Sequence, residues 1–546
     1  MKRFINDRDD VVRESIDGLL MSSAGANLCR IDDFPDIKVV LRADWDRGRV
    51  ALVSGGGSGH EPAHAGYVGE GMLTAAVCGE IFASPSVAAV LSAIVAVTGP
   101  PGCLLIVKNY TGDRLNFGLA AERARAMGLA VEMVVVGDDI ALPEAVQARG
   151  VAGTLFVHKL AGAAAATGLP LEAVAAVARD ATAHVRSIGL SLSGCNGFSA
   201  EPDERLGAGE AELGLGIHGE PGAALVPMGS ARALLDLAVE RLLARDHHAG
   251  ARYAVLVNNL GSVTPVEMAV LVHALAQTAL AAQIALIVGP GLFMTSLDMN
   301  GFSLSLLELD AAREAGLRAM VMPLAWQPAR PFAGPNLVAA PAIADAVPAE
   351  PSSDSRVRGL LEAGAILFGT IEADINALDA KVGDGDTGST FAQAASGILQ
   401  QRDRLPYAQG DLLLGAIGAL LQRRAGGSSG VLLATLFTAA GTAYAQGGGW
   451  IRALVAGLER MKTYGGAQLG DRTLIDALEP ALDTLAKGGS MTDAARAARA
   501  GAEATGQMGS ARAGRSAYVP QANLMGVIDP GAEAVSRLFE RLAALA

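Results

Sequence analysis

A chain of 546 residues is too long for a single hydrophobic core, so we expect two or three domains. Hydrophobic residues make up 51% of the chain, but the longest apolar runs, such as residues 87–97, are too short to span a bilayer. The net charge of −13, without any run rich in Lys and Arg, argues against a nucleic-acid partner. The N-terminus lacks an apolar signal segment and the 4 cysteines form no C-x-x-C pair, which predicts a cytoplasmic protein with reduced thiols and no membrane partner.

The first 330 residues alternate short β-branched runs with amphipathic segments. One such segment, residues 114–128, carries apolar residues at helical spacing. The alternation predicts an α/β domain over residues 1–330, built from two lobes with mainly parallel or mixed sheets. Six apolar runs are predicted to be buried strands: VALV (50–53), CLLIV (103–107), VEMVVV (131–136), TLFV (154–157), YAVLV (253–257) and IALIV (284–288).

A glycine-rich stretch, SGGGSGHEPAH (residues 54–64), follows the first of these strands. His60 and His64 match the H-E-x-x-H pattern of zinc proteases, but Pro62 between them opposes a helix that would present both on one face. The glycines suit a phosphate loop, but no Lys follows them as in G-x-x-x-x-G-K-[ST]. We favour a turn at the carboxyl end of a strand, which brings backbone close to a small ligand and presents His60. A purely structural turn is the alternative.

Two further loops have the same character. KNYTGD (108–113) places Asp113 just past the strand CLLIV, where it is either a functional carboxylate or the N-cap of the next helix. GLGIHGEPG (214–222) surrounds His218 with glycines, which argues against a packing role for this histidine. A functional histidine and a flexible exposed loop are the two interpretations that stay open.

The composition changes near residue 328. Residues 331–355, which include APAIADAVPAEPSSDS, are predicted to be a linker stiffened by proline and solvated by Ser and Asp. Beyond them strand-like runs vanish and apolar residues recur at three- and four-residue steps, so residues 356–546 are predicted to be all-α. We expect about eight helices, near residues 357–380, 391–401, 411–423, 430–445, 450–463, 471–487, 491–507 and 530–545.

The all-α region contains an acidic loop, DAKVGDGDTG (379–388). Its glycines let Asp379, Asp384 and Asp386 fold inward, where three carboxylates repel one another unless a cation lies between them. Carboxylate oxygens suit Mg²⁺ or Ca²⁺, and the spacing is not that of an EF-hand, so Mg²⁺ with a nucleotide is favoured over a solvated Asp-Gly turn. The stretches AGGSSG (425–430) and GRSAY (514–518) are weaker candidates for phosphate binding at a helix start and for a nearby cation.

These motifs together resemble the single-chain, ATP-dependent dihydroxyacetone kinases. The resemblance runs nearly from end to end, in family order. It is carried by INDRDDVV near the start, SGGGSGHEP, KNYTGD, ELGLGIHGEPG, VNNLG (257–261), TSLDMNGFS (295–303), GDGDTG, GGSSG and GRSAYV. It implies a substrate-binding K domain of two α/β lobes and a nucleotide-binding L domain, the latter a barrel of about eight antiparallel helices.

The resemblance also assigns roles to residues. It implies that His218 holds the ketone as a covalent hemiaminal, that Asp113 is the base and that His60 assists by hydrogen bonding. Mg²⁺ is then held by Asp379, Asp384 and Asp386 against the phosphates of ATP. The other substrate-binding residues are Gly56, Gly57, Ser58, Gly59 and Lys108, and the nucleotide-binding residues are Thr387, Gly426, Gly427, Ser428, Ser429 and Arg515.

Several related activities stay open at this point. Residues 195–212 depart from the family pattern, which leaves a four-carbon ketose such as erythrulose as an alternative to dihydroxyacetone or glyceraldehyde. Ser428 stands where Thr is commoner, a mild change. An additional FAD-cyclising (FAD-AMP lyase) activity, a phosphocarrier-linked enzyme and an inactive ketose sensor are further alternatives; the fused chain favours free ATP, and the intact acidic and histidine motifs favour an enzyme. A homodimer, with tails exchanged between chains, is the expected assembly.

Overall fold

The computed structural model describes residues 3–23, 27–31, 33, 35–142, 147–195, 206–244, 248, 250–341, 350–424, 427–513 and 515–546. The chain divides into two compact units, Met1–Leu337 and Val338–Ala546. Within the described ranges, no helix has the length and apolar character needed to cross a membrane.

A six-stranded mixed sheet organises the first part of unit 1. Strand β3 pairs in parallel with β4 and β5, and β5 with β6, whereas β1–β2 and β2–β4 are antiparallel. The strands lie in the order β1-β2-β4-β3-β5-β6. Their bounds are β1 (Leu28–Arg30), β2 (Val39–Arg42), β3 (Ala51–Ser58), β4 (Ala75–Ile81), β5 (Cys103–Lys108) and β6 (Val131–Val136).

Helices cover both faces of this sheet. The first three are α1 (Val11–Ser22), α2 (Val87–Val97) and α3 (Thr111–Ala126). Residues of α2 and α3 pack on Val53, Leu105 and other side chains of one face. Strands β3 and β5 are therefore buried along their whole length, as expected for parallel strands covered on both sides. The helix predicted over residues 114–128 is confirmed as α3.

The second sheet of unit 1 has seven strands and is mainly antiparallel. Among its described strands, only β10 and β11 pair in parallel. Both sheets are therefore mixed, as predicted, but parallel pairs are in the majority only in the first sheet. The order is β13-β11-β10-β12-β7-β8-β9. The bounds are β7 (Val185–Ser191), β8 (Glu210–Leu213), β9 (Ala224–Pro227), β10 (Tyr253–Asn259), β11 (Ile284–Leu292), β12 (Gly301–Glu308) and β13 (Arg330–Pro331).

Five helices accompany the second sheet. They are α4 (Thr154–Ala166), α5 (Leu171–His184), α6 (Ala231–Leu243), α7 (Pro265–Leu275) and α8 (Ala311–Arg318). Buried side chains of α4 and α5 pack with Leu52 and Leu104 of the first sheet and with Leu256 and Leu286 of the second. The two lobes of unit 1 therefore share one hydrophobic core.

The run TLFV (154–157), predicted to be a strand, instead opens α4, so that prediction is wrong. Every residue from Thr154 to Gly162 is buried, which leaves the first part of the helix without a polar face. A helix buried on all sides gives the same short apolar run as a buried strand, so periodicity cannot separate them.

Unit 2 is all-α, as predicted. Its helices are α9 (Ser355–Thr370), α10 (Glu372–Asp379), α11 (Thr387–Gln401), α12 (Gly410–Arg424), α13 (Gly427–Ala445), α14 (Gly449–Gly465), α15 (Ile475–Ala486), α16 (Met491–Thr505), α17 (Gln521–Leu524) and α18 (Pro530–Ala543). Eight of them pack in a closed ring in the order α9, α11, α12, α13, α14, α15, α16, α18 and back to α9. The helix predicted over residues 357–380 is split at Ile371 into α9 and α10, and the single-turn α17 was not predicted.

Candidate active site

Three neighbouring strand ends bring polar residues together in unit 1. His60 follows β3, Ser84 follows β4, and Lys108 ends β5 just before Asp113 in the first turn of α3. Because β4, β3 and β5 are parallel neighbours, their carboxyl ends lie at one edge of the sheet. That edge is where open α/β sheets bind ligands. Tyr110, not Asp113, is the N-cap residue of α3, so the capping interpretation of Asp113 is excluded.

His218 reaches this edge from the loop between β8 and β9. Its ring centroid lies 4.8 Å from that of His60, 4.5 Å from Tyr110 and 5.5 Å from Phe82, each in an edge-to-face arrangement. Its side chain is 19% exposed, which excludes the flexible exposed loop as the interpretation of this histidine. The two histidines predicted from the sequence, His60 and His218, are therefore in contact, and the aromatic rings of Phe82 and Tyr110 pack against His218.

His60 is a buried, neutral imidazole. Its Nδ1 lies 2.8 Å from the carbonyl oxygen of Thr295, and a carbonyl can only accept, so Nδ1 carries the proton. Burial lowers the pKa of His60 well below its ordinary value, and the nearby Lys108 and His218 lower it further. Nε2 therefore keeps its lone pair, and it is buried with no hydrogen-bond partner in the part of the chain that is described. Such a nitrogen can accept a hydrogen bond from a hydroxyl group.

His218 has a carboxylate as its partner instead. Its Nδ1 lies 3.2 Å from Glu220 Oε1, and its backbone N–H donates to Glu220 Oε2 at 2.9 Å. Burial is the largest single influence on Glu220 and would raise its pKa, but the hydrogen bonds from the side chain and backbone of His218, the charge of His218 and the backbone N–H of Glu220 together lower that pKa to about 2. With the Nδ1 proton directed at an ionised carboxylate, Nε2 of His218 is the nitrogen that can act as a nucleophile.

Asp113 is 3% exposed and lies beside Lys108. Its Oδ1 accepts a hydrogen bond of 2.5 Å from Ser84 Oγ. A Cβ built on Gly56 would lie 3.3 Å from Lys108 Nζ and 3.7 Å from Asp113 Oδ2, so the missing side chain lets the backbone of β3 lie close to both groups. Burial lowers the pKa of Lys108, and Asp113 opposes that shift. A candidate base and a candidate cation thus lie side by side at the glycine loop.

The other predicted substrate-loop residues have structural contacts. Ser58 Oγ donates to the carbonyl of Gly79 at 2.8 Å. A Cβ on Gly57 would lie 2.7 Å from the backbone N of Ala83, and a Cβ on Gly59 would lie 2.8 Å from the ring of Phe82. Gly57, Ser58 and Gly59 thus pack the segment that carries Phe82 and Ser84 closely against β3. Their direct contact with the substrate stays a prediction.

The zinc interpretation of HEPAH finds no support. Residues 61–64 form turns that precede a short 3-10 helix, Ala65–Tyr67, so the two histidines do not share a helix face. His64 instead faces His158 at a centroid distance of 5.2 Å. Throughout the described ranges, the group of three or more ligating side chains close enough to hold one metal ion is the aspartate trio of unit 2.

A cavity adjoins this loop. It measures about 380 Å³ and is lined by residues of α1 and by Gly56, Gly57, Ser58, Glu61 and His64. It does not include His60, Asp113 or His218. The cavity is thus lined by part of the predicted substrate loop but not by the candidate catalytic side chains.

Unit 2 places the three predicted metal ligands together. One carboxylate oxygen each of Asp379, Asp384 and Asp386 lie within 4.8 Å of one another, in the loop that joins α10 to α11. Asp379 Oδ2 also accepts hydrogen bonds from the backbone N–H groups of Gly385, Asp386 and Thr387, at 3.0–3.1 Å. This donor set is all oxygen and carries three charges, which fits a hard divalent cation such as Mg²⁺.

The remaining predicted nucleotide residues are only partly described. Gly426 lies outside the described residues, Gly427 begins α13, and the side chains of Ser428, Ser429 and Arg515 are not described. Val382 of the acidic loop packs with Ala511 and Leu524, so the segment that leads to Arg515 adjoins this loop. Leu433 of α13 packs against the cluster that contains Phe391 of α11, so the N-terminal halves of both helices adjoin that cluster.

Sequence reasoning missed four residues of the unit 1 site: Ser84, Phe82, Glu220 and Tyr110. Glu220 and Tyr110 stand inside the quoted motifs GLGIHGEPG and KNYTGD, so their polar side chains next to candidate residues were an available signal. Ser84 and Phe82 gave none, because they reach the site only through the pairing of β3 with β4. Phe82 has a φ of +57°, a strained conformation for a bulky residue that often marks functional sites.

Comparison with known proteins identifies the family. Residues 22–324 match the Dak1 domain and residues 381–544 match the DAK2 domain. The chain is 47% identical to the dihydroxyacetone kinase of Citrobacter freundii, over 99% of this chain and 98% of the relative. It is 39% identical to human triokinase/FMN cyclase, over 92% and 93% of the two chains, and 36% identical to the L-erythrulose 1-kinase of Mycolicibacterium smegmatis, over 99% of each.

A crystal structure shows the same architecture. The C. freundii kinase in complex with AMP-PNP and Mg²⁺ superposes with a TM-score of 0.82 at 46% identity and covers 100% of both chains. Relatives at this identity over the whole length, together with both domain matches, settle the question that the motifs raised. The chain belongs to the family of single-chain dihydroxyacetone kinases, in which a Dak1 and a DAK2 domain are fused.

Proposed function

We propose that this chain is an ATP-dependent kinase that phosphorylates dihydroxyacetone, and also glyceraldehyde, on a terminal hydroxyl group. The observation that carries the proposal is the meeting of a nucleophilic His218 Nε2, a hydrogen-bond-accepting His60 Nε2 and the carboxylate of Asp113 at one sheet edge. An imidazole nitrogen with a free lone pair can add to a carbonyl carbon, so a nucleophilic histidine in the site favours a substrate that contains a carbonyl group. The full-length similarity to the C. freundii dihydroxyacetone kinase supports the same substrate class.

The covalent step is the capture of the ketone. His218 Nε2 adds to the carbonyl carbon, a C–N bond forms as the π bond of the carbonyl breaks, and the carbonyl oxygen takes a proton from solvent to become a hydroxyl group while Nδ1 keeps its own proton. Positive charge that develops on the ring is stabilised by Glu220, which accepts the Nδ1 hydrogen bond. A three-carbon ketone has little apolar surface, so a reversible bond supplies affinity and selects carbonyl compounds over glycerol.

The transfer step uses Asp113 as the base. The terminal hydroxyl gives its proton to Asp113 Oδ2 as its oxygen attacks the γ-phosphorus of ATP, and ADP leaves. Ser84 holds Oδ1, Lys108 offers a positive charge beside the reacting oxygen, and His60 accepts a hydrogen bond that orients the substrate. Phosphoryl transfer depends mainly on such positioning and charge neutralisation. A magnesium ion held by Asp379, Asp384 and Asp386 would neutralise charge on the phosphates of ATP.

The test is an ATP-turnover assay across dihydroxyacetone, glyceraldehyde and both erythruloses, combined with mapping of the ketone adduct by crystallography. We expect the highest kcat/KM with dihydroxyacetone and an adduct on His218 Nε2. A higher kcat/KM with an erythrulose would overturn the substrate assignment, and an adduct on another residue would overturn the covalent one. Incubation with FAD in the same buffer tests cyclase activity, which the name of the human relative raises as an alternative.

We also propose that the enzyme acts in the cytoplasm as a homodimer. Burial raises the pKa of the Cys103 thiol to about 12, so this cysteine is a packing group, which suits a reducing compartment. The dimer is proposed because the substrate residues and the acidic loop lie on separate compact units, and a long linker lets one chain's unit 2 serve a second chain. Analytical ultracentrifugation that finds only a monomer would overturn the dimer.

A further inference from the structure

Arg149 is a partly buried charged residue that the mechanism above does not use. It lies between β6 and α4, with a side chain only 14% exposed, and pairs with Asp139, which is 4% exposed. Both its Nε and its Nη2 lie 2.7 Å from Asp139 Oδ2. Asp139 is fixed in turn, since its Oδ1 accepts from the backbone N–H of Ala141 at 2.9 Å and its own N–H donates to the carbonyl of Arg149 at 3.0 Å. The guanidinium group is therefore rigidly placed.

From this position Arg149 contacts the loop that carries His218. Its Nη2 donates to the carbonyl oxygen of Gly214 at 2.8 Å, at the start of that loop. A Cβ built on Gly216 would lie 2.8 Å from Arg149 Nη1 and 2.1 Å from Glu220 Oε2. The guanidinium and the carboxylate thus approach the same point from two directions, in the space that the missing side chain leaves.

We propose that Arg149 is the positioning residue for His218, acting through Glu220, with Asp139 holding the guanidinium in place. The inference rests on the proposed function of His218 as the nucleophile that captures the ketone. Glu220 and Asp139 are two carboxylates in a partly buried region. Arg149 is paired with Asp139, and its Nη1 and Glu220 Oε2 both approach the position of a Gly216 Cβ, so its positive charge offsets the repulsion between the two carboxylates. Without Arg149, their repulsion and the cost of burial drive Glu220 away from His218.

The consequence is specific to the attacking nitrogen. The rings of Tyr110, Phe82 and His60 restrict where the His218 imidazole can lie, but they do not choose which nitrogen carries its proton. The hydrogen bond to Glu220 makes that choice, because it holds the proton on Nδ1 and leaves Nε2 for the carbonyl carbon. If Glu220 is displaced, the His218 ring can rotate or change tautomer, and formation of the hemiaminal becomes less favourable. The base Asp113 and the other substrate-binding residues keep their positions.

The experiment is a double-mutant cycle of Arg149→Met and Glu220→Gln in the full-length enzyme, read by the KM for dihydroxyacetone, kcat and the KM for ATP. We expect each single variant to raise the KM for dihydroxyacetone about tenfold or more, with kcat changed by less than about threefold and the KM for ATP unchanged. In the double variant the two effects should not multiply, because both act on the same hydrogen bond between Glu220 and His218. Arg149→Lys keeps the charge and should recover most of the affinity.

Other outcomes contradict the proposal. Effects that multiply in the double variant, or an unchanged KM for dihydroxyacetone in Arg149→Met, would show that Arg149 only stabilises the fold. If Arg149→Met does not fold, Arg149→Lys with and without Glu220→Gln gives the same cycle with smaller steps. Occupancy of the adduct, followed by ¹³C NMR with [2-¹³C]dihydroxyacetone, must fall in step with KM. Failure of the proposed function is distinguishable, since the wild-type enzyme would then show no adduct on His218 at all.

Discussion

At the residue scale, His60 and His218 carry the same side chain but have different hydrogen-bond partners. His60 donates to the carbonyl of Thr295, a neutral group that fixes the tautomer without stabilising a charged ring. His218 donates to the carboxylate of Glu220, which stabilises positive charge on the imidazole. A ring that forms a bond to carbon must carry such charge, whereas a ring that only accepts a hydrogen bond need not. The partners alone therefore favour His218 as the nucleophile.

The first prediction concerns the base. Asp113→Asn should lower kcat by about 10²–10⁴-fold while the ketone still forms its adduct, because the amide keeps the shape but cannot take a proton. Ser84→Ala should lower kcat by a smaller factor, on the order of tenfold, because it removes the hydrogen bond that orients Asp113. Steady-state kinetics on both variants, with thermal melts as a control for folding, measure this. Near-normal turnover in Asp113→Asn would show that another group accepts the proton.

At the element scale, β3 shows why some of the site was predictable and some was not. The strand, its glycines and the histidine after it are local, so the run VALVSGGGSGH was sufficient to place His60 at a strand end. Phe82 and Ser84 come from the residues after β4, and only the pairing of β3 with β4 brings them to the site. The tertiary pairing also decides that the second sheet is mainly antiparallel, which no local pattern encodes. The helices of unit 2 were predictable because their amphipathic period is local.

The second prediction contrasts two adjacent glycines of β3. A Cβ on Gly55 would lie 2.2 Å from the backbone carbonyl oxygen of Val77, so Gly55→Ala must push the strands apart and should lower the thermal midpoint of unfolding by several degrees. A Cβ on Gly56 would meet only side-chain atoms, Lys108 Nζ at 3.3 Å and Asp113 Oδ2 at 3.7 Å, and would crowd the proposed base and cation. Gly56→Ala should therefore fold and lose ketone affinity.

Gly118→Ala on α3 is the matched control for both variants, since its Cβ would have no neighbour within 4 Å. It should keep ketone affinity and be as stable as the wild type or more so, because Ala favours a helix over Gly by about 1 kcal/mol. The melting temperature and the KM for dihydroxyacetone of the three variants are the measurements. Full ketone affinity in Gly56→Ala would place the substrate elsewhere.

The third prediction separates two aspartates of the acidic loop. Asp379 receives three backbone N–H groups, so Asp379→Ala should both destabilise the α10–α11 loop and abolish Mg²⁺-dependent turnover. Asp384→Asn keeps the size and one acceptor oxygen of the side chain, so without Mg²⁺ it should lower the melting temperature less than Asp379→Ala does, but it should raise the Mg²⁺ concentration needed for half-maximal turnover by about tenfold or more. Thermal melts with and without Mg²⁺ and a Mg²⁺ titration of kcat distinguish them. Unchanged Mg²⁺ dependence in Asp384→Asn would remove this residue from the metal site.

At the scale of the whole molecule, the chemistry sets a demand on the two units. The ketone residues belong to one unit and the acidic loop to the other, yet in-line transfer requires the reacting atoms to approach within about 3–3.5 Å. The predicted linker, residues 331–355, can span tens of Å at roughly 3 Å per residue, so it does not restrict which chain's unit 2 serves a given ketone site. Residues 342–349 of this linker lie outside the described residues. Residues 196–205, which belong to the segment that departs from the family pattern, also lie outside them.

The last prediction tests exchange of unit 2 between chains. A His218→Ala chain has an intact acidic loop and an Asp384→Ala chain has an intact ketone site, so neither is active alone. If each unit 2 serves the other chain of a homodimer, a mixed dimer holds one complete site and should show up to about half of the activity of a wild-type dimer. If each unit 2 serves its own chain, a mixed dimer holds no complete site and should be inactive. Co-expression with two different affinity tags and tandem purification isolates the mixed dimers, and ATP turnover with dihydroxyacetone measures them. Wild-type chains purified through the same two tags set the reference rate, and inactive mixed dimers of verified composition would exclude the exchange.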